Sequence, residues 1–128
     1  MLILTPFGKA LSSLELALQQ PKNEFIRDSV IQRFEYSYEL AWKMLRRYLV
    51  EDMGAETLAP LSRKDLFRLA ADKQLINDPL PWFEYHIARN TTSHTYDEAV
   101  AEKVYQAAKA FFIDASHLLA ELERRNAD

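Results

Sequence analysis

The feature that most constrains the fold is an amphipathic pattern that runs without interruption from about Glu24 to Asp52. Apolar and aromatic side chains recur along it at steps of three and four residues: Ile31, Phe34, Tyr38, Ala41, Trp42, Leu45, Tyr48 and Leu49. Polar side chains recur on the other side: Asp28, Gln32, Glu35, Glu39, Lys43 and Arg46. This period is typical of an α-helix that buries one face, so the pattern predicts one long helix.

Three further expectations follow for this helix. Gly54 lies where a helix stop is expected. Glu39 and Lys43 are four residues apart, in the order that favours an ion pair on a helix surface. The aromatic stripe is predicted to lie in the core because it follows the helical period; it consists of Phe34, Tyr38, Trp42 and Tyr48.

The rest of the chain also has helical patterns, separated by short breaks. Four more helices are predicted, over approximately residues 6–20, from Ser62 to the turn at 77–79, over 79–89, and over 95–125. Ser62 and Asp65 have the form of a helix-capping box, as have Thr95 and Glu98. No alternating strand pattern is present. We therefore predict an all-α fold, an antiparallel up-and-down bundle of four to five helices, with residues 1–128 as a single domain.

Composition excludes several classes of site. The chain has no cysteine, so it has neither a disulfide framework nor a thiolate metal site. His86 and His117 lack a partner at a ligand spacing, and glycine-rich phosphate loops are absent, so no metal site and no cofactor are expected. The net charge of −3 means that nucleic acid must be contacted through a local basic patch. No run approaches the ~20 apolar residues of a membrane span, and we expect a cytoplasmic protein with no membrane partner.

The octapeptide from Arg89 to Tyr96 is the strongest candidate for chemistry. Arginine holds phosphate with a planar fork of donors, and histidine moves protons near neutral pH. On an unbroken helix Arg89 and His94 would lie about 140° apart. The residues from Asn90 to Ser93 disfavour helix, so a break here would let both side chains face one site beside the start of the last helix. The alternative is a capped turn with an incidental histidine.

Two parts of the sequence resemble one known superfamily. Arg89, His94 and Tyr96 fit the R-x4-H-x-Y pattern of HEPN proteins, in particular the HepT type, and the polar Asn90 after the arginine fits as well. The segment RFEYSYELAWK at 33–43 resembles the hallmark second helix of nucleotidyltransferase substrate-binding proteins, which belong to the same superfamily. The resemblance covers essentially the whole chain.

The resemblance implies a bundle of four or five helices that forms a homodimer, with the motif near the dimer interface. It also implies a cognate minimal nucleotidyltransferase as partner. Many such proteins are metal-independent endoribonucleases that act as toxins. In HepT systems the nucleotidyltransferase is the antitoxin and adds AMP to the motif tyrosine, which is Tyr96 here.

The residue types suggest a mechanism for RNA cleavage. The 2′-hydroxyl would attack the adjacent phosphate; His94 would move a proton and Arg89 would stabilise charge on the phosphate oxygens. One histidine cannot easily serve as both base and acid, so a dimer that brings two motifs together is expected. Asn90 would orient a phosphate or cap a helix. Tyr96 would bind a phosphate or base, and its modification would repel RNA.

A second, weaker candidate surface is the basic cluster of Lys43, Arg46 and Arg47, which the pattern places at the end of the long helix. It would contact RNA or a partner protein, or only complement the helix dipole. Two functions stay open from the sequence: an endoribonuclease toxin, or a non-catalytic subunit that presents substrate to a nucleotidyltransferase. A third alternative is a helical dimerisation module.

Overall fold

The structure of the protein is a computed structural model, which describes residues 1–127. Helices alone make up the regular structure of this part of the chain, and the predicted all-α class is confirmed. In chain order the helices are α1 (Thr5–Leu18), α2 (Glu24–Met53), α3 (Ala55–Leu58), α4 (Arg63–Asp72), α5 (Pro79–Asn90) and α6 (Glu98–Ala127). A short 3₁₀ turn (Thr92–His94) lies between α5 and α6.

Contacts between the ends of the helices establish an up-and-down bundle. Leu2 and Asn126 are joined by two hydrogen bonds, which places the start of α1 beside the end of α6. Arg27 binds Glu98 near the starts of α2 and α6, and Arg125 binds Tyr48 near their ends. The two long helices therefore run in the same direction, while α1 and α5 run the opposite way.

An aromatic cluster joins α2, α5 and α6 in the core. The ring of Phe111 lies 5.2 Å from that of Phe34, 5.5 Å from that of Tyr85 and 5.9 Å from that of Trp82, each edge to face. This geometry is the one that aromatic quadrupoles favour. Most of the residues predicted to form the apolar face of α2 are buried, namely Ile31, Phe34, Tyr38, Ala41, Leu45 and Leu49.

Two aromatic residues of the predicted apolar face, Trp42 and Tyr48, are only half-buried, so the prediction that they lie in the core is only partly correct. Each lies under an arginine from another element. The guanidinium of Arg63 is 4.1 Å from the ring centre of Trp42, and that of Arg125 is 5.1 Å from the ring of Tyr48. The cationic side chains cover these rings at the rim of the core.

The ends of the helices follow local chemistry. Gly54 ends α2 with a φ of +89°, a conformation that favours glycine. The capping box of Ser62 and Asp65 is present. The predicted cap at Thr95 is wrong: Asp97 accepts hydrogen bonds from the backbone N–H groups of Ala99 and Val100, and α6 begins at Glu98.

The basic cluster does not end the long helix as predicted. The last turn of α2 contains no basic residue, and acidic Glu51 and Asp52 lie there instead. A cation near a helix C-terminus is stabilised only within the final turn, so the dipole does not account for this cluster. Across residues 1–127, the structure contains no helix with the length and apolar character needed to cross a membrane.

Candidate functional site

The end of α5 is shaped by threonine hydroxyls. Arg89 and Asn90 still belong to α5, so the helix breaks one residue later than predicted. The hydroxyl of Thr91 donates to the carbonyl of Ala88 at 2.8 Å, and that of Thr92 donates to the carbonyl of Arg89 at 2.9 Å. Such hydroxyls compete with the backbone N–H groups that would continue a helix, which explains the break.

The 3₁₀ turn fixes the backbone of His94 on both sides. Its N–H donates to the carbonyl of Thr91 at 2.9 Å, and its carbonyl accepts from the N–H of Asp97 at 3.1 Å. The side chain is exposed, and its ring packs edge to face against that of Tyr96 with 6.2 Å between the ring centres. The histidine is thus presented to solvent from an ordered backbone.

The start of α6 does not provide the free anion site that the sequence suggested beside His94. The carboxylate of Asp97 already occupies the N–H groups of Ala99 and Val100. It therefore fills the role that a phosphate would take at this helix end. Binding of a phosphate near His94 must rely on side chains.

Arg89 is held by an ion pair across two helices. Its Nε donates to Oε1 of Glu39 on α2 at 2.6 Å, with about a third of the arginine side chain exposed. The predicted pair between Glu39 and Lys43 is therefore replaced by this contact. The Nη groups of Arg89 make no hydrogen bond within residues 1–127. The guanidinium is oriented through one nitrogen while its outer edge stays open.

A second polar network joins α5 to α2 and α4 next to the motif. Nδ1 of His86 is 2.9 Å from the hydroxyl of Tyr38 and 3.4 Å from Nη1 of Arg63. Arg63 also donates to the Tyr38 hydroxyl at 3.2 Å. On the other side of the ring, Nε2 of His86 is 3.3 Å from the side-chain nitrogen Nδ2 of Asn90. The motif residue Asn90 is thereby connected to α2 and α4.

The environment shifts two ionisation equilibria in this network. Burial lowers the pKa of His86 below its usual range, and the positive charges of Arg63 and Arg89 act in the same direction. Burial raises the pKa of Tyr38, against the opposing effect of Arg63. Both groups therefore favour their neutral forms near pH 7.

One exposed face of α2 lies beside the segment from Arg89 to Tyr96. Its charge changes from negative to positive along the helix. Between α2 and the 3₁₀ turn, a groove is lined by Asp28, Ile31, Gln32, Glu35, Tyr36, Glu39, Thr92 and Thr95. Toward the end of α2, Lys43 and Arg46 lie within about 40° of Glu39 on the helical wheel, and Arg47 lies about 80° away. We call the residues Asp28, Gln32, Glu35, Glu39, Lys43 and Arg46 the α2 stripe. Its acidic half lies beside the 3₁₀ turn, and Lys43 and Arg46 are exposed in its basic half.

The remaining histidine, His117, lies on the exposed face of α6. It lines a pocket with Asp114 and Glu121, away from Arg89 and His94. Within residues 1–127, no three or more His, Cys, Asp or Glu side chains are grouped so that they could hold a metal ion.

Sequence reasoning did not identify Glu39 and His86 as parts of the site. For His86 a signal existed, because it lies one helical turn before Asn90, where side chains on one helix meet. For Glu39 the sequence offered a competing local partner in Lys43. Only the packing of α5 against α2 brings Arg89 into contact with Glu39.

Comparisons with known proteins agree with one another. The model of the family described as "Nucleotidyltransferase substrate binding protein like" matches residues 2–124. A Haemophilus influenzae protein named probable ribonuclease HepT is 41% identical over 97 residues, which are 75% of this chain and 66% of the relative. The matched region thus spans just under two thirds of that relative's length.

Two solved structures are similar over nearly their full length. One, from Haemophilus influenzae, is described as the fold of a substrate-binding domain of a nucleotidyltransferase. It has a TM-score of 0.86 and 34% identity, covering 94% of this chain and 99% of that one. The other, a crystal structure of a Thermus thermophilus protein, has a TM-score of 0.77 and 34% identity, covering 91% of this chain and 98% of that one.

Proposed function

This chain belongs to the nucleotidyltransferase substrate-binding protein family, and from that premise we propose that it is a HEPN-type, metal-independent endoribonuclease. It acts as the toxin of a toxin–antitoxin pair in the cytoplasm, and residues 1–128 form its single domain. One observation carries the proposal. Arg89 is oriented by Glu39 with its Nη edge open, one short turn before the exposed His94.

The proposed reaction is transesterification within RNA. The 2′-oxygen loses its proton and attacks phosphorus, the bond to the 5′-oxygen breaks, and that oxygen takes up a proton. The products are a 2′,3′-cyclic phosphate and a 5′-hydroxyl. His94 carries one of the two protons, and the Nη groups of Arg89 stabilise charge on the non-bridging oxygens. Asn90 supplies a further contact to the phosphate.

The motif of each protomer contains one histidine, so the second proton transfer is assigned to His94 of a second copy. The α2 stripe supports a homodimer because it is self-complementary. When two stripes pack antiparallel about a twofold axis near Glu39, the acidic half of each faces the basic half of the other. Glu35 then lies opposite the Lys43 of a second copy. The same packing brings the two motifs to one cleft.

The basic cluster therefore divides between two roles. Lys43 and Arg46 lie in the α2 stripe and contact the second copy. Arg47 lies farther round the helix, so it stays accessible to an RNA phosphate.

Tyr96 is the proposed site of control. The residue is 85% exposed, which makes its phenolic oxygen accessible to a modifying enzyme. The cognate minimal nucleotidyltransferase transfers AMP from ATP to this oxygen and releases pyrophosphate. The new phosphodiester places negative charge and bulk against the ring of His94, which repels the RNA backbone. The nucleotidyltransferase thereby acts as antitoxin.

The test is RNA cleavage by the purified chain, free of its partner, in the presence of a chelator. We expect wild type to produce 2′,3′-cyclic ends, and Arg89→Ala and His94→Ala to be inactive while remaining folded dimers. His117→Ala, an exposed histidine outside the site, should retain activity. Intact single-stranded RNA after incubation with wild type would overturn the proposal. Mass spectrometry of Tyr96 after co-expression with the nucleotidyltransferase tests the modification separately.

The alternative function is a non-catalytic subunit that presents substrate to a nucleotidyltransferase. The similarity to a structure described as the substrate-binding domain of a nucleotidyltransferase supports it. The neutralisation of Arg89 by Glu39 also suits a binding role. Under this alternative, expression of the chain alone does not slow bacterial growth, whereas the toxin does so and loses the effect on His94→Ala substitution.

A further inference from the structure

We infer that His86, which lies outside the motif, is a positioning residue that fixes the side-chain amide of Asn90 with its N–H donors turned toward the substrate phosphate. The inference rests on the proposed function for the identity of the substrate. It follows from the hydrogen bonds on the two sides of one imidazole ring.

The Nδ1 side of the ring determines which nitrogen carries the proton. Arginine is a donor only, so Arg63 donates both to the Tyr38 hydroxyl and toward Nδ1 of His86. The Tyr38 hydroxyl, which accepts from Arg63, has its own proton left to donate to Nδ1 at 2.9 Å. Nδ1 thus faces two donors and must be an acceptor. Neutral His86 therefore carries its proton on Nε2.

The Nε2 side then determines the orientation of Asn90. Nε2–H is a donor, and the side-chain nitrogen Nδ2 of Asn90 is placed 3.3 Å from it, which would set two donors against each other. The oxygen and nitrogen of a side-chain amide exchange places by a half-turn, and hydrogen bonding decides between the two orientations. A donor at Nε2 requires Oδ1 of Asn90 to face the ring. Its NH2 group then faces away from His86.

This orientation matters because Asn90 is exposed and directly follows Arg89 in α5. With Oδ1 held by His86, the amide presents N–H donors on the solvent side, where a phosphate oxygen needs them. The reverse orientation would present a carbonyl oxygen to an anion. Tyr38 is fully buried and Arg63 is stacked on Trp42, so the elements that hold His86 are themselves fixed.

The tautomer is tested on the full-length wild-type chain by long-range ¹H–¹⁵N NMR of the imidazole rings. We expect His86 to be the Nε2–H form at pH 7, with an unprotonated Nδ1, while the exposed His117 serves as a reference ring. An Nδ1–H tautomer or a protonated ring at pH 7 would overturn the inference. This measurement does not require activity, so its result stands even if wild type fails to cleave RNA and the proposed function falls.

The positioning role is tested by kinetics on RNA. Asn90→Ala should lower kcat/KM about tenfold, as expected for one hydrogen bond to a charged group. His86→Phe keeps a ring beside Tyr38 but removes both nitrogens, and should lower kcat/KM by a similar factor. The double variant should be no worse than Asn90→Ala alone. His86→Gln, whose terminal amide can donate to Asn90, should recover most of the activity.

Independent, multiplying effects of the His86→Phe and Asn90→Ala substitutions would show that the two residues do not act as a unit and would overturn the role. Full activity of His86→Phe would do the same. His117→Phe is the matched control and should behave as wild type. Circular dichroism establishes that each variant is folded, and the NMR result on wild type does not depend on any variant.

Discussion

At the scale of single residues, Arg89 combines a fixed position with an open edge. The ion pair with Glu39 uses only Nε, so the guanidinium is oriented while its two Nη groups remain available to a ligand. The exposure of both side chains means that the pair adds little to stability. Its value lies in orientation, which is what a group acting on a phosphate needs.

The role of Glu39 is therefore testable by kinetics. Glu39→Gln removes the negative charge but keeps the size of the side chain, so we expect KM for RNA to fall because Arg89 is no longer neutralised. We expect kcat to fall about tenfold because the guanidinium is less well oriented. Arg89→Lys, which keeps charge but loses the planar fork, should lose more activity. An unchanged kcat for Glu39→Gln would exclude an orienting role.

His86 adds a pH dependence to stability. Its pKa is lowered in the folded protein, while in the unfolded chain it takes up a proton near pH 6.5. Below about that pH the unfolded state binds more protons, so the free energy of unfolding decreases as pH falls. The charged groups around the ring are Arg63 from α4, Arg89 from α5 and Glu39 from α2.

Thermal denaturation at about pH 7.5 and about pH 5.5 measures this effect. The melting temperature of wild type should drop more on acidification than that of His86→Phe, in which the titrating group is absent. His117→Phe removes an exposed histidine and should show the drop of wild type. Equal drops for wild type and His86→Phe would mean that His86 makes no contribution.

At the scale of elements, the connection between α5 and α6 is shaped by polar side chains that form hydrogen bonds with backbone groups. Hydroxyls at Thr91, Thr92 and Thr95 each donate to the carbonyl three residues earlier. Asp97 then caps α6. The sequence predicted Thr95 as the cap, two residues before the observed one. Thr95 is used inside the turn, so the cap falls to Asp97.

Removal of the α6 cap should cost stability. Asp97→Ala is expected to lower the free energy of unfolding by about 1 kcal/mol, whereas Asp97→Asn should retain most of the capping contact. Urea denaturation followed by circular dichroism measures both. Ser62→Ala at the start of α4 is a comparison of the same kind on another helix. If Asp97→Ala is as stable as wild type, the cap is not significant for the fold.

At the scale of the whole molecule, the sign change along the α2 stripe gives the bundle a self-complementary surface. Its two halves meet at Glu39, which is also where Arg89 from α5 reaches α2. The candidate active site and the proposed dimer axis therefore coincide. The proposed site, which needs two copies of His94, would then be completed by the same contact that forms the proposed dimer.

Charge reversal tests this arrangement. Glu35→Lys places like charges opposite Lys43 and should weaken the dimer, and Lys43→Glu should weaken it by the same logic. The double variant restores opposite charges across an antiparallel pair, so its dimerisation should recover. Sedimentation velocity at low and high salt measures the dimer fraction. Reversal at Glu123, which is exposed on α6, is the control and should leave the dimer unchanged.

A double variant that stays monomeric while both single variants are monomeric would contradict the antiparallel packing. Single variants that remain dimeric would place the interface on another face. Either result leaves the RNA-cleavage test of the motif unaffected, because that test compares variants of Arg89 and His94.

The sequence by itself indicated five of the six helices in residues 1–127, their order and most of their ends, but not the four-residue α3. Those features depend on interactions within about four residues: the apolar period of α2, the glycine at position 54 and the Ser62–Asp65 box. It also indicated Arg89, His94 and Tyr96 as the candidate site. Contacts between residues on different helices could not be predicted from the sequence in the same way.

The tertiary structure determined which polar and charged side chains contact one another. Glu39 had a local partner in Lys43, but α5 brings Arg89 to within 2.6 Å of it. The sequence showed no partner for His86 at a ligand spacing, and only the approach of α2 and α4 gives it Tyr38 and Arg63 as partners. An ion pair four residues apart is worth only a few tenths of a kcal/mol, so helix packing readily overrides it. The chemistry of this site is therefore set by the packing of helices that the sequence could only position one at a time.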